Sequence, residues 1–138
     1  MGEHTLETLV DDIYKLMKDR NVPSGVDAEA EIEKFGEAMK DIMKKEFLPS
    51  EGRSRKLRLS AIGKPALVQW YSYNKFTGEK ITPHTYIKFM YGHIIEEMLL
   101  FLTRMSGHEV KDEQKQCEVG GIKGHMDCTI DGVVVDVK

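Results

Sequence analysis

Leu6, Leu9, Val10, Ile13, Leu16 and Met17 recur at three- and four-residue steps, which predicts an amphipathic helix over residues 5–20. The run Asn21-Val22-Pro23-Ser24-Gly25 breaks it. Ile32, Phe35, Met39, Ile42 and Met43 form a second stripe, predicting a helix from about Asp27 to Phe47 that stops at Leu48-Pro49-Ser50-Glu51-Gly52. The two read as an acidic helical hairpin, with the Met-rich stripe as core and a partner-binding face as the alternative. Arg53 to Arg58 is polar and basic; Ser60 then suits a helix N-cap, with Pro65 early in a helix reaching Trp70 or Tyr71. Asn74 to Lys80 is a loop. Thr82-Pro83 opens a long helix carrying Ile87, Met90, Ile94, Met98, Phe101, Leu102 and Met105, stopped by Gly107.

Beyond Gly107 the period changes. Glu109 to Val119 alternates weakly, Gly120-Gly121 marks a turn, and Ile122–Ile130 and Val133–Lys138 flank Asp131-Gly132, a two-residue hairpin signal. The fold class expected is α+β: a helical N-terminal part, a long helix, then a mainly antiparallel meander of about three strands.

The hairpin turn sets a register. Ile130 faces Val133, so Asp127 falls opposite Asp136 and His125 opposite Lys138. One face holds Met126, Cys128, Ile130, Val133, Val135 and Val137, all apolar and in need of cover. The other holds His125, Asp127, Thr129, Val134, Asp136 and Lys138. Opposed like charges at about 4.5–5.5 Å between Cβ atoms are destabilising. Two such carboxylates stay solvated, share a proton or bind a cation. For the third outcome, oxygen ligands suit a hard ion such as Mg²⁺ or Mn²⁺.

Composition narrows the class. At 138 residues and 41% hydrophobic, the chain has the length and apolar content of a single domain. No apolar run approaches the about 20 residues of a membrane span, and no secretory or transit pattern opens the chain, so no membrane partner and a cytoplasmic setting are expected. Cys117 and Cys128 read as two reduced thiols. The net charge of −3 conceals an asymmetry: residues 1–51 carry −6, residues 52–95 carry +7 and residues 96–138 carry −4. Phosphate binding needs local cations and not a basic total. The rival reading is that the basic block ion-pairs with its acidic flanks. The histidines show no zinc spacing.

Three segments in order resemble the PD-(D/E)XK nuclease superfamily, in its RecB-like and lambda-exonuclease-like branch. They are Leu57-Arg58-Leu59-Ser60-Ala61-Ile62-Gly63-Lys64 with Gln69-Trp70-Tyr71, then Gly92-His93-Ile94-Ile95-Glu96-Glu97, then Gly124-His125-Met126-Asp127 with Asp136-Val137-Lys138. The resemblance covers residues 53–138, dividing the chain into an acidic helical hairpin at 1–51 and a nuclease-like core at 52–138. Residues 1–51 would cap that core or hold subunits of a homo-oligomer together.

The resemblance implies a Mg²⁺- or Mn²⁺-dependent DNA nuclease, most readily an exonuclease of phage or recombination type, working in a bacterial or phage-infected cell. Asp127, Asp136 and the Val137 carbonyl would bind the metal, joined by Glu96, with Glu97 as its rival. Lys138 would orient or deprotonate the attacking water. Arg58 and Ser60 would contact DNA phosphates, with Arg53, Arg55, Lys56 and Lys64 extending the basic surface. Trp70 and Tyr71 either stack bases or pack as an aromatic helix end, the reading favoured for Trp70. Iron–sulfur members need four cysteines, so no cluster is expected. Family members continue past the lysine with another strand and a helix, so the core is expected to be truncated here, and a non-catalytic DNA-binding or assembly module is the alternative.

Overall fold

The computed structural model describes residues 4–48, 58–74 and 80–137. Its order is α1 (Leu9–Asp19), α2 (Ala28–Phe47), a 3₁₀ turn (Leu59–Ala61), α3 (Ala66–Tyr73), α4 (Pro83–Met105), then β1 (Val110–Lys111), β2 (Gln116–Val119), β3 (Ile122–His125), β4 (Cys128–Ile130) and β5 (Val133–Val135). Helices and an antiparallel sheet segregate along the chain, an α+β arrangement.

The helix ends follow local chemistry. Asp27 caps α2, its Oδ1 accepting from the Ala30 N–H at 3.1 Å. Thr82 caps α4, its hydroxyl accepting from the Thr85 N–H at 3.3 Å, with Pro83 at the first position. Gly107, at φ 95°, takes the left-handed conformation that ends α4. Ser60 departs from expectation: it lies inside the 3₁₀ turn, which has no side-chain cap. Gly63, at φ 87°, separates that turn from α3, and Pro65 occupies the α3 N-cap.

α1 and α2 both pack on α4, and α2 against α4 is the main helix contact. Phe35 meets Phe101 there with ring centroids 4.9 Å apart. The Met-rich stripe of α2 is therefore half-buried packing surface. A buried ion network reinforces it. Arg104, 7% exposed, donates from Nε to Glu31 of α2 at 2.7 Å and from Nη1 to Glu113 at 2.9 Å. Lys34 reaches the same Glu113 oxygen at 2.9 Å.

The strands form a three-stranded sheet in the order β1-β4-β5 and a two-stranded ribbon β2-β3, all antiparallel. The long strands expected at Glu109–Val119 and Ile122–Ile130 are each interrupted. Lys111 pairs with Thr129 and Gln116 with His125, so four residues on one strand face three on the other. This extra residue is a bulge, and Asp112 and Gln114 at φ 54° and 52° absorb it. The last strand ends at Val135, short of the expected Lys138.

The Asp131-Gly132 turn forms as expected, with φ 48° and 80°. Its register pairs Ile130 with Val133, Thr129 with Val134 and Cys128 with Val135. Cys128 and Ile130 are buried with Leu100 of α4, and Leu9, Val110 and Val135 pack around them. Cys128, Ile130 and Val135 of the apolar hairpin face thus close on α4 and α1, while Val133, expected on the same face, stays 47% exposed beside the turn. Both cysteines are free thiols, Cys117 exposed and Cys128 buried. Among the described residues, no helix is long and apolar enough to cross a membrane.

Candidate functional site

Glu96 and Asp127 come from different elements. Glu96 sits at mid-α4, and Asp127 occupies the break between β3 and β4 where the bulge lies. Burial pushes the Glu96 carboxyl above the ordinary glutamate value, and the negative charges of Asp127 and Glu97 add to the rise. His93 acts in the opposite direction, as does a hydrogen bond from Gln114 Nε2 to Glu96 Oε1 at 3.3 Å. Gln114 also ties the two elements together, because its N–H donates to the Asp127 carbonyl at 2.8 Å.

Glu97 points its electrostatics elsewhere. Burial raises it first, then Glu113, while Arg104, Lys34 and Lys45 lower it. The neighbours differ: Gln114 links Glu96 to Asp127, while Glu97 feels the charges of Glu113 and Arg104.

Asp127 Oδ2 accepts the Val137 N–H at 3.0 Å, so the carboxylate closes the end of the hairpin just past β5. Asp136 directly precedes Val137 and is exposed. The Cys128–Val135 pair is the last ladder rung, and Asp127 and Asp136 stand one step beyond it. Among the described residues, the carboxylates of Glu96, Asp127 and Asp136 do not close as a trio to metal-ligand spacing. Lys138 lies outside the described residues.

Gly92 stands one helical turn before Glu96, and a Cβ there would meet nothing within 4 Å. Helix side chains lean toward the N-terminus, so the space ahead of Glu96 is left bare. A glycine at mid-helix costs up to about 1 kcal/mol relative to alanine.

The basic segment reaches the ribbon. Arg58 bridges β3 at Lys123 in parallel, and Leu59 packs over Gly124 so closely that a Cβ on Gly124 would lie 2.8 Å from it. Arg58, Ser60 and Lys64 are exposed. Among the described residues, Arg58, Lys64, Lys80 and Lys88 form no ion pair with the acidic helices. Arg53, Arg55 and Lys56 lie outside the described residues. Trp70 is not core: it is 53% exposed, with its ring edge-on to Tyr71 at 5.3 Å, and Leu67, Val68, Tyr71 and Tyr73 of the same helix are exposed as well.

A second cluster escaped the sequence reading. His4, Asp12 and His108 offer ligand atoms all within 4.8 Å of one another. They come from the N-terminal segment, α1 and the residue after Gly107, so no local spacing announces them. Gln114 was missed for a related reason, since the bulge that places it carries no glycine. No family model, curated protein or solved structure matches this chain.

Proposed function

We propose that the chain is a metal-dependent nuclease core that hydrolyses phosphodiester bonds in DNA, with exonuclease action of phage or recombination type as the class its motifs resemble. The observation that carries this reading is Gln114, which donates from its side chain to Glu96 Oε1 and from its backbone N–H to the Asp127 carbonyl, so that two acidic residues from distant segments share one neighbour and the Asp127 charge adds to the rise of the Glu96 carboxyl. Such an arrangement costs stability unless something cationic relieves it.

The donor set fits a hard divalent ion. Asp127 and Glu96 each accept a neighbouring N–H on one oxygen, from Val137 and from Gln114, and the second oxygen of each would be the ligand atom. Asp136 is exposed at the same hairpin end and, with the Val137 carbonyl, would complete the oxygen ligands. A bound Mg²⁺ or Mn²⁺ would supply Lewis acidity toward the phosphate and an acidified water. Gln114 holds Glu96 in place, the Val137 N–H orients Asp127, and the bare surface at Gly92 leaves room for a backbone phosphate. Lys138 would orient or deprotonate the water, and Arg58 and Lys64 would attract the DNA strand with Ser60 beside them.

The test is cleavage of end-labelled linear DNA in Mg²⁺ or Mn²⁺, with chelator controls. Asp127→Asn, Asp136→Asn and Glu96→Gln are each expected to lower the rate by about 10²-fold or more while the protein remains folded. Metal-dependent cleavage that persists unchanged in all three variants would overturn the assignment.

One observation favours a second reading. The three carboxylates do not close to ligand spacing as a trio, as expected of a DNA-binding or assembly module without turnover. Salt-sensitive DNA binding with no cleavage in either metal would select that module.

A further inference from the structure

The fold gathers two histidines and an aspartate beside the Asp131-Gly132 turn, at the other end of the β4–β5 hairpin from Asp127. Asp12 Oδ2 lies 3.2 Å from His4 Nδ1 and 3.1 Å from His108 Nε2. Two donors bound to one tetrahedral zinc at about 2.0–2.1 Å stand roughly 3.4 Å apart. The two distances to Asp12 are therefore close to that spacing, and all three ligand atoms lie within 4.8 Å of one another.

The far side of His108 is built as well. Its side chain is fully buried, and its Nδ1 lies 2.6 Å from Asp131 Oδ2. Asp131 in turn accepts the Glu109 N–H on Oδ1 at 3.0 Å. A histidine that donates its Nδ1–H to a held carboxylate is fixed in the orientation that turns Nε2 toward a metal, here toward Asp12 Oδ2, which Nε2 meets at 3.1 Å. Gly107 makes the seat for the other histidine, because a Cβ there would stand 3.3 Å from His4 Nε2. A cavity of about 270 Å³ opens beside the cluster, lined by His4, Asp12, Lys15, Asp19 and Ser106 among others. Water can therefore reach the fourth position.

We propose that His4, Asp12 and His108 form a Zn²⁺ site with Asp131 as the carboxylate that orients His108. Two imidazoles and one carboxylate suit zinc better than Mg²⁺, which prefers an all-oxygen shell. The ion joins the N-terminal segment, α1 and the end of α4, and through Asp131 it reaches the β4–β5 turn. This runs against the reading of the histidine spacing, and it does not depend on the nuclease assignment.

The experiment measures Zn²⁺ binding to the full chain by equilibrium dialysis, with Co²⁺ as a spectroscopic substitute and thermal unfolding as a second readout. The expected result is one Zn²⁺ per chain, visible d–d absorption with Co²⁺, and a melting temperature that rises with Zn²⁺ but not with Mg²⁺. His4→Gln changes an exposed side chain and should weaken binding at least tenfold. Asp131→Asn should weaken it about 10- to 100-fold. Asparagine tolerates the left-handed turn position, so the hairpin is retained. Asp127→Asn should leave Zn²⁺ binding unchanged, which separates this site from the carboxylates near Glu96. Absence of saturable binding, full affinity in His4→Gln, or loss of binding in Asp127→Asn would each overturn the proposal.

Discussion

Gly124 shows how much a single position can carry. It lies in β3 within the Gly-His-Met-Asp run, and Leu59 occupies the space its side chain would need. An added Cβ would sit 2.8 Å from both Leu59 Cβ and Cδ1, closer than carbon atoms tolerate. Gly124→Ala is expected to destabilise the protein by about 1–3 kcal/mol, read as a lower urea midpoint. An unchanged midpoint would mean that the 3₁₀ turn leaves the ribbon at no cost. Gly92 is the converse case, with open space around it, and its value lies in what it leaves uncovered. The sequence placed both glycines in motifs but could not distinguish them. One answers to a distant leucine and the other to empty space, and neither is local.

At the scale of elements, the helices were readable and the strands only partly so. The α2 and α4 boundaries follow from Asp27, Thr82-Pro83 and Gly107, whose capping chemistry acts within one turn. The β4–β5 register likewise follows from a two-residue turn. The bulge does not, because Asp112 and Gln114 adopt positive φ without glycine, held by tertiary hydrogen bonds such as Gln114 N–H to the Asp127 carbonyl. Packing between elements depends on Arg104. It joins α4 to Glu31 of α2 and to Glu113 at the bulge. Arg104→Ala would leave both glutamates without their buried cation, with Glu97 already repelling Glu113. A loss of about 2–4 kcal/mol is expected in chemical unfolding. A loss near zero would show that water replaces the guanidinium freely.

For the whole molecule, the carboxylates impose opposing pH dependences. Glu96 and Glu97 are raised by burial and by neighbouring acids, so the folded state binds protons more readily than the unfolded chain. Their contribution is fully present below the unfolded value and is lost as pH rises through the folded value. Asp12 is lowered, chiefly by its hydrogen bond with Thr8 and further by His4 and His108. Its contribution is present above the unfolded value and is lost as pH falls through the folded one. Relative to wild type, Glu96→Gln/Glu97→Gln is therefore expected to gain stability at about pH 7 and to lose that advantage toward about pH 4. Urea midpoints across that range measure it. A constant difference between the two proteins would show that neither glutamate is perturbed.

Local order was settled by the sequence alone: the α1, α2 and α4 helices with their periods and stops, the presence though not the ends of α3, the Asp131-Gly132 reversal and its register, and the Cys128–Ile130 face that ends up under α4. These depend on neighbours within a few residues, through capping, turn conformation and side-chain alternation. Tertiary structure decided what meets across the chain. It separated Glu96 from Glu97, broke the strands at Asp127, left Trp70 outside the core, and drew His4, Asp12 and His108 together from nearly opposite ends of the polypeptide. Those outcomes arise from packing and burial between segments distant in sequence, which no local period encodes.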